Sequence, residues 1–343
     1  MPTEDEKIKM DIHKKNKLLA KNERDEDRNN TDPTKVILTY DLENTFALLR
    51  AEISNFYYKR KFSVYNLTAH CSLNKITYCA IWTEAQSGRS GNDIASALFK
   101  ILKSVEQDLP DIKKIVLWSD SCVAQNKNKV HTLMLTKFLQ DTQRIEYIDH
   151  KYSTAGHSQL QEVDAVQSAI EKHLQGLTIY SHITLIRQLL NMRYEKVKLK
   201  VIQMQNGNFY NFAESAKVFD MARIPFTKVN FLRYNAENVN KIEYKKSLSI
   251  EEPVETIFLN KKPQSRLRNI SVEQQIFTFS LTEKKKKDLK SMVKFMSGDG
   301  MKYYSTILDA ASTENAPKKP NKKRIATTPK IMGKNKKNPK KCI

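Results

Sequence analysis

Three aspartates stand where carboxylates can cooperate. Asp41 ends the apolar run Val36-Ile-Leu-Thr-Tyr40, Asp120 follows the run from Lys114 to Trp118, and Asp164 lies in a helical stretch from Gln159 to Leu174. Hard divalent cations take oxygen ligands, usually one or two protein carboxylates each, and keep positions for water and phosphate. Two-ion phosphoryl transfer holds its ions ~3.5–4 Å apart, so the carboxylates must converge from different elements. Asp41, Asp120 and Asp164 are therefore the candidate catalytic acids and ligands for magnesium, with manganese as a substitute. Glu162 and Glu171 are further donors on the same helix, and Asp164 and Glu171 share one of its faces. Each aspartate also has a purely structural use. Asp41 could cap a helix starting near Glu43, Asp120 could initiate a turn, and Asp164 could favour the positive end of its helix.

The groups around these acids are polar or basic. Asp120-Ser-Cys-Val-Ala-Gln-Asn-Lys-Asn128 passes from a strand end into a helix start, where unsatisfied amides attract anions. Gln125, Asn126, Lys127, Asn128 and Lys129 are the candidate phosphate contacts there, against the alternative of a capped surface helix. His157, in Gly156-His-Ser158, could move a proton or serve as a loop donor. Lys284, Lys285, Lys286 and Lys287 put four like charges at a helix start, where the helix dipole disfavours them, so phosphates would suit them. Lys322, Lys323 and Arg324 belong to the compact cluster Pro317-Lys-Lys-Pro-Asn-Lys-Lys-Arg324, which reads as a nuclear import signal or a phosphate-binding arm. The cysteines Cys71, Cys79, Cys122 and Cys342 form no CxxC pair, and the histidines have no metal-ligand spacing. No Walker or GxSxG sequence occurs, so no small-molecule cofactor is expected.

The elements that must position these groups are legible in outline. Of 343 residues, 40% are hydrophobic and 28% charged, a balance that excludes full disorder and fibrous repeats. The apolar run opening at Val36 reads as a strand, Glu43 to Asn55 has helical spacing, and Lys61–Cys71 with Ile76–Thr83 reads as a hairpin. A helix capped by Asn92 or Asp93 should stop before Pro110. A strand from Lys114, a helix from Asn126 to Leu139, a strand from Arg144 to Asp149 and the helix to Leu174 follow. With the 43–55 helix taken as an insertion, the order is three strands, then alternating helices and strands. That order implies an α/β (α+β mixed) sheet covered by helices, and the ribonuclease H-like fold has it. There the first and fourth strands are neighbours, which would set Asp41 beside Asp120. A doubly wound nucleotide fold would need a glycine-rich turn after the first strand, and Asp41-Leu-Glu-Asn-Thr has none.

Four segments follow from composition: a charged lead over 1–34 with a polar helix in its middle, the sheet domain over 35–178, a smaller α+β accessory region over 179–314, and a basic tail over 315–343. The formal net charge is +21, and the tail holds 11 lysines and arginines and no acid. Such a tail cannot bury enough apolar surface to order itself. The surplus points to a polyanionic partner, nucleic acid before an anionic membrane, and DNA before RNA. No apolar run reaches the ~20 residues of a membrane span, and the charged opening is not a signal peptide, so a soluble, nuclear protein is expected.

Several segments are similar to a known family. Tyr57-Tyr-Lys-Arg-Lys-Phe-Ser-Val-Tyr-Asn66, Trp82-Thr-Glu-Ala, Trp118 to Asn128 and Gly156 to Glu171 resemble an uncharacterised eukaryotic domain family of transposon-like genes. Glu283 to Lys290 followed by Tyr303-Tyr304 resembles its C-terminal part, so the likeness runs from about Asp11 to Leu308. The resemblance implies a ribonuclease H-like, transposase-related core with Asp41, Asp120 and Asp164 on its acidic positions. Members of that family often carry a further cysteine-containing region upstream. Two functions are carried forward: a metal-dependent nuclease or strand-transfer core, and a catalytically silent nucleic-acid-binding or protein-interaction module.

Overall fold

The computed structural model describes residues 3–313 apart from 44, 49, 51–53, 155–161, 193–197, 261–266, 268 and 297. It is built on one ten-stranded mixed sheet. Strands β1 (Lys35–Leu42), β2 (Phe46–Leu48), β3 (Phe62–Cys71) and β4 (Ile76–Thr83) come first, then β5 (Lys114–Ser119) and β6 (Tyr147–Tyr152). From the second half come β7 (Lys198–Gln203), β8 (Phe231–Asn235), β9 (Lys241–Lys245) and β10 (Glu255–Phe258). The order is β10-β9-β8-β6-β5-β1-β3-β4-β7, with β2 on β3. β1 runs antiparallel to β3 and parallel to β5. The mixed α/β class expected from the sequence is the class observed. The second half does not form its own sheet. It extends this one at both edges, β7 beside β4 and β8 beside β6. β10 escaped the sequence reading because Glu255-Thr-Ile-Phe258 buries only Ile257.

Residues are sorted between the faces by strand alternation. One face carries Val36, Leu38, Tyr40, Leu67, Ala69, Ile115 and Leu117, all buried under α2 (Gly91–Asp108) and α3 (Lys129–Asp141). The expected stripe of α2, Ile94, Ala97, Leu98, Ile101, Leu102 and Val105, is wholly buried. Each large apolar side chain among them contributes ~1.5–3 kcal/mol on removal from water. The cap of α2 differs from expectation. Ser90 is the N-cap and Asp93 is its partner in a capping box, with Asp93 Oδ2 accepting from the Ser90 amide at 2.6 Å.

The other face is covered by α1 (Glu4–Arg28), α4 (Glu162–Leu174), α5 (His182–Asn191), α7 (Glu283–Val293) and α8 (Gly298–Thr313), with the short α6 (Phe212–Ser215) lying beside α2 and α3. Its apolar cover is in two pieces. Ile37, Val116 and Trp118 form one, and Phe62, Val64, Cys79, Ile81 and the inward residues of α4, α5, α7 and α8 form the other. α1 is pinned by a buried ion network in which Lys151 Nζ meets Asp27 Oδ2 at 2.7 Å and Glu23 Oε1 at 2.6 Å. Trp118 Nε1 also donates to Asp27, at 2.8 Å.

The helix expected over 43–55 is corrected. Phe46–Leu48 is a strand on β3, and Ser54–Phe56 is a 3-10 turn. The pairs Leu42↔Leu67 and Phe46↔Val64 put one residue more on this side than on β3, the count of a β-bulge. β1 and β2 are thus one strand interrupted by a bulge. The apolar residues 46, 49, 53 and 56 fitted a helical stripe by coincidence of spacing.

Candidate functional site

The bulge falls where the acids gather. Thr39 on β1 is paired with Trp118 on β5 in parallel register, and Asp41 and Asp120 each follow two residues later. They are lateral neighbours on the face that α1 and α4 cover, on strands ~4.8 Å apart. Asp164 comes in from the first turn of α4. Burial, then the charge of Asp120 and that of Asp164, lifts the Asp41 carboxyl to about 7, while the Leu42 amide opposes the shift. The charges of Asp120 and Asp164 thus reach Asp41 from two other elements.

Asp120 organises its own turn. Its Oδ1 accepts from Asn126 Nδ2 at 2.5 Å and from the Cys122 amide at 3.3 Å. The Cys122 carbonyl in turn accepts from the amides of Gln125, Asn126 and Lys127. The helix expected from Asn126 begins instead at Lys129, because Asn128 is its N-cap, accepting from Val130 and His131. Lys129 is exposed and Gln125 half-buried, whereas Asn126 and Lys127 are buried. The Lys127 ammonium sits over the Tyr152 ring at 5.1 Å, and burial lowers it to about 8 against the pull of Asp120.

A fourth carboxylate was missed. Glu43 follows Asp41 by two residues, hence on the same strand face, and is 5% exposed. Its Oε2 accepts from Asn66 Nδ2 at 2.6 Å, while its Oε1 is buried without a hydrogen-bond partner. Burial lifts it to about 8, despite the Asn66 bond and with added repulsion from Glu171 and Asp41. The alternation Asp41-Leu-Glu43 was the available signal, hidden by reading 43–55 as helix. Around it runs a polar row on β1 and β3, Thr39, Asp41, Glu43, Asn66, Thr68 and His70, which separates the two apolar pieces of this face. Thr39 Oγ1, Asn66 Oδ1 and Thr68 Oγ1 in this row are buried without partners, as is Gln167 Nε2 on α4 above it. A strip of buried polar atoms such as this is a place where an ordered water or a cation can be held.

The remaining donors are differently engaged. Glu162 forms an ion pair with Arg28 of α1, and Glu171 pairs with Arg50 at 3.4 Å. Arg24, 5% exposed, lies within the field of Glu162 and Asp164, and burial and the Arg28 charge lower its pKa. A cavity of about 140 Å³ opens here between Arg24, Arg28, Thr39, His70 and Glu162. His157 and Lys322, Lys323 and Arg324 lie outside the described residues. On α7 the lysine run is divided. Lys285 pairs with Glu84 at 2.6 Å and Lys286 with Glu283 at 3.2 Å, while Lys284 and Lys287 are exposed.

The donor chemistry suits a hard divalent ion: carboxylate, amide and hydroxyl oxygens, with Asp41 repelled by its neighbours. Among the described residues, however, no three His, Cys, Asp or Glu side chains form a closed group around one point. The fit is one of chemistry and charge.

Fold and site together define a mixed α/β protein with an acidic strip between two apolar patches of one sheet face. The model of a family described as a domain of unknown function, DUF8701, matches residues 24–206, and the chain belongs to that family. The matched segment contains β1 to β7, Arg24 and Arg28, and every acid of the strip, while β8, β9 and β10 continue the sheet beyond it. No curated protein and no solved structure matches the chain. Among the described residues, no helix is long and apolar enough to cross a membrane.

Proposed function

We propose that this chain is a ribonuclease H-like, transposase-derived core that acts on nucleic acid by metal-dependent phosphoryl transfer, as a nuclease or strand-transfer enzyme. One observation carries the reading: burial, with the charges of Asp120 after β5 and Asp164 on α4, lifts the Asp41 carboxyl on β1 to about 7. The strand order β4-β3-β1-β5-β6, antiparallel on one side of β1 and parallel on the other, supports it. Bound magnesium or manganese would activate water or a terminal hydroxyl and offset charge at the phosphorus. Asp41, Asp120 and Asp164 would hold it. Asn126 fixes Asp120, and the apolar patches on either side limit water. DNA is the preferred substrate and the nucleus the expected compartment, because the basic surplus lies in the second half and the tail.

The test is cleavage of labelled DNA by the full chain in magnesium, with Asp120→Asn alongside. Wild type should cleave, EDTA should stop it, and Asp120→Asn should be slower by about 100-fold or more. Equal cleavage by both proteins would reject the assignment. A second reading, a silent nucleic-acid-binding or protein-interaction module, is favoured by the arginines, since Arg28 engages Glu162 and Arg24 bears on Asp164. Binding of DNA without cleavage by either protein selects it.

A further inference from the structure

The most exposed aromatic pair in the described chain has no structural use. Tyr57 is 78% exposed and Tyr58 91%, with ring centroids 4.8 Å apart and planes nearly perpendicular. Both follow the turn Ser54–Phe56 and precede Lys59-Arg60-Lys61. This segment lies along α7. Phe56 packs edge-on against Phe295 just past the helix end, centroids 6.2 Å apart. Farther up the helix, Asp288 accepts from the Arg60 amide at 3.1 Å and from its guanidinium at 2.8 Å. The tyrosines are thus held between two anchor points while their rings face water.

Exposed cations lie on the helix that anchors this segment. Lys284, Lys287, Lys290 and Lys294 are exposed on and just after α7, and Lys294 Nζ lies over the half-exposed Phe295 ring at 5.1 Å. Asp288, the acid facing this segment, is already shared by Arg60 and, at 3.9 Å, Lys59. Aromatic rings offered to solvent among positive charges are the composition of a surface that binds unpaired bases, each of which has a face to stack and a phosphate to neutralise. A duplex hides those faces, so it would meet only the lysines.

We propose that Tyr57 and Tyr58, with the exposed lysines of α7, form a stacking platform for single-stranded nucleic acid. It rests on the reading of nucleic acid as the partner, yet it needs no metal and none of the acids. The platform would hold an unpaired strand apart from the acidic strip, so that phosphates are gripped by a surface that does not repel them.

The experiment measures anisotropy of a fluorescein-labelled 15-nucleotide single strand, as DNA and as RNA, and of the matching DNA duplex, with the full chain in EDTA. Tyr57→Ala/Tyr58→Ala should weaken single-strand binding about 10- to 100-fold, as loss of stacking predicts. Duplex affinity and the salt slope should hold, because no charge is removed. Tyr57→Phe/Tyr58→Phe should bind as wild type does, and all variants should keep the wild-type Tm because both rings lie in solvent. Unchanged single-strand binding, or an equal loss on duplex, overturns the platform. So does tyrosine-dependent capture by phosphatidylserine vesicles with no oligonucleotide bound. Cleavage in magnesium is scored separately, so platform and phosphoryl transfer can fail independently.

Discussion

His131 and His150 are the residues whose protonation should most affect this fold. They lie on the face opposite the acids, their rings 6.5 Å apart beside Tyr40. His150 is tied to Tyr40, Ser119 and Tyr152, whereas both ring nitrogens of His131 lack partners. Burial drives His131 to about 3; burial and then the charges of His131 and Lys127 drive His150 well below its ordinary value. The native state therefore refuses protons that the unfolded chain accepts below pH ~6.5. Stability is full above that pH and falls beneath it, by ~1.4 kcal/mol per pH unit for each histidine. Between pH 7 and 5 His131→Leu should lose about 2 kcal/mol less stability than wild type in urea titrations. An identical loss in both would show that the buried ring is protonated. The acids carry the opposite sign. Asp41 and Glu43 are raised, so ionising them costs native stability as pH climbs towards about 7 and 8. Asp41→Asn should accordingly melt a few degrees higher than wild type in EDTA at pH 8. It should also lose any magnesium-induced rise in Tm. A lower melting point would mean that the carboxylate is held by a cation of the protein itself, with Arg24 the candidate.

At the scale of elements, α1 shows how a charged helix is held to a sheet. Its exposed N-terminal turns contribute little contact, and attachment is concentrated at Ala20, Arg24 and Asp27, each under 9% exposed. Asp27 alone meets Lys151, Lys35 at 3.1 Å, and the Trp118 indole. Removing it strands buried donors, the costly way to break such a network. Asp27→Ala should cost about 3 kcal/mol in chemical denaturation, and Glu23→Ala about 1, because Glu23 is more exposed and Lys151 keeps Asp27. Equal small effects would mean that α1 is docked by its apolar contacts. The pairs made by Lys151 were not legible beforehand, because ion pairs between residues more than a hundred apart leave no local pattern. What was legible followed from periodicity for β1, the β3–β4 hairpin, α2 and β5, and from the order of elements for the adjacency of the strands bearing Asp41 and Asp120. Periodicity failed at 43–55, where a bulge inserts one residue and destroys the two-residue alternation. Glu43 went unnoticed for the same reason. The turn before α3 was misplaced because Asn126 and Asn128 use side chains, rather than helical backbone, to satisfy their neighbours.

The whole molecule separates its charges. Residues 35–178, which carry the acidic strip, have 17 lysines and arginines against 15 acids, whereas 179–314 have 23 against 14 and the tail has 11 against none. An acidic cluster repels phosphate until a cation joins it, so attraction of a nucleic acid has to come from elsewhere in the chain. Counterion release gives this a measurable form. If the segment from Asn315 to Ile343 makes about five phosphate contacts, its removal should flatten the plot of log affinity against log salt by roughly 4–5 units on duplex DNA. Sequence preference should be little altered, since lysine reads phosphate rather than base edges. The same deletion should shift a tagged protein out of the nucleus, because it removes Lys322, Lys323 and Arg324 with their neighbours. The tyrosine variants bear on the single strand without touching this slope, and the tail deletion bears on the slope in either form of DNA. Should the truncated chain keep both its slope and its nuclear signal, attraction must come from the lysines of α7 and the rest of the second half, and the tail would be irrelevant to binding.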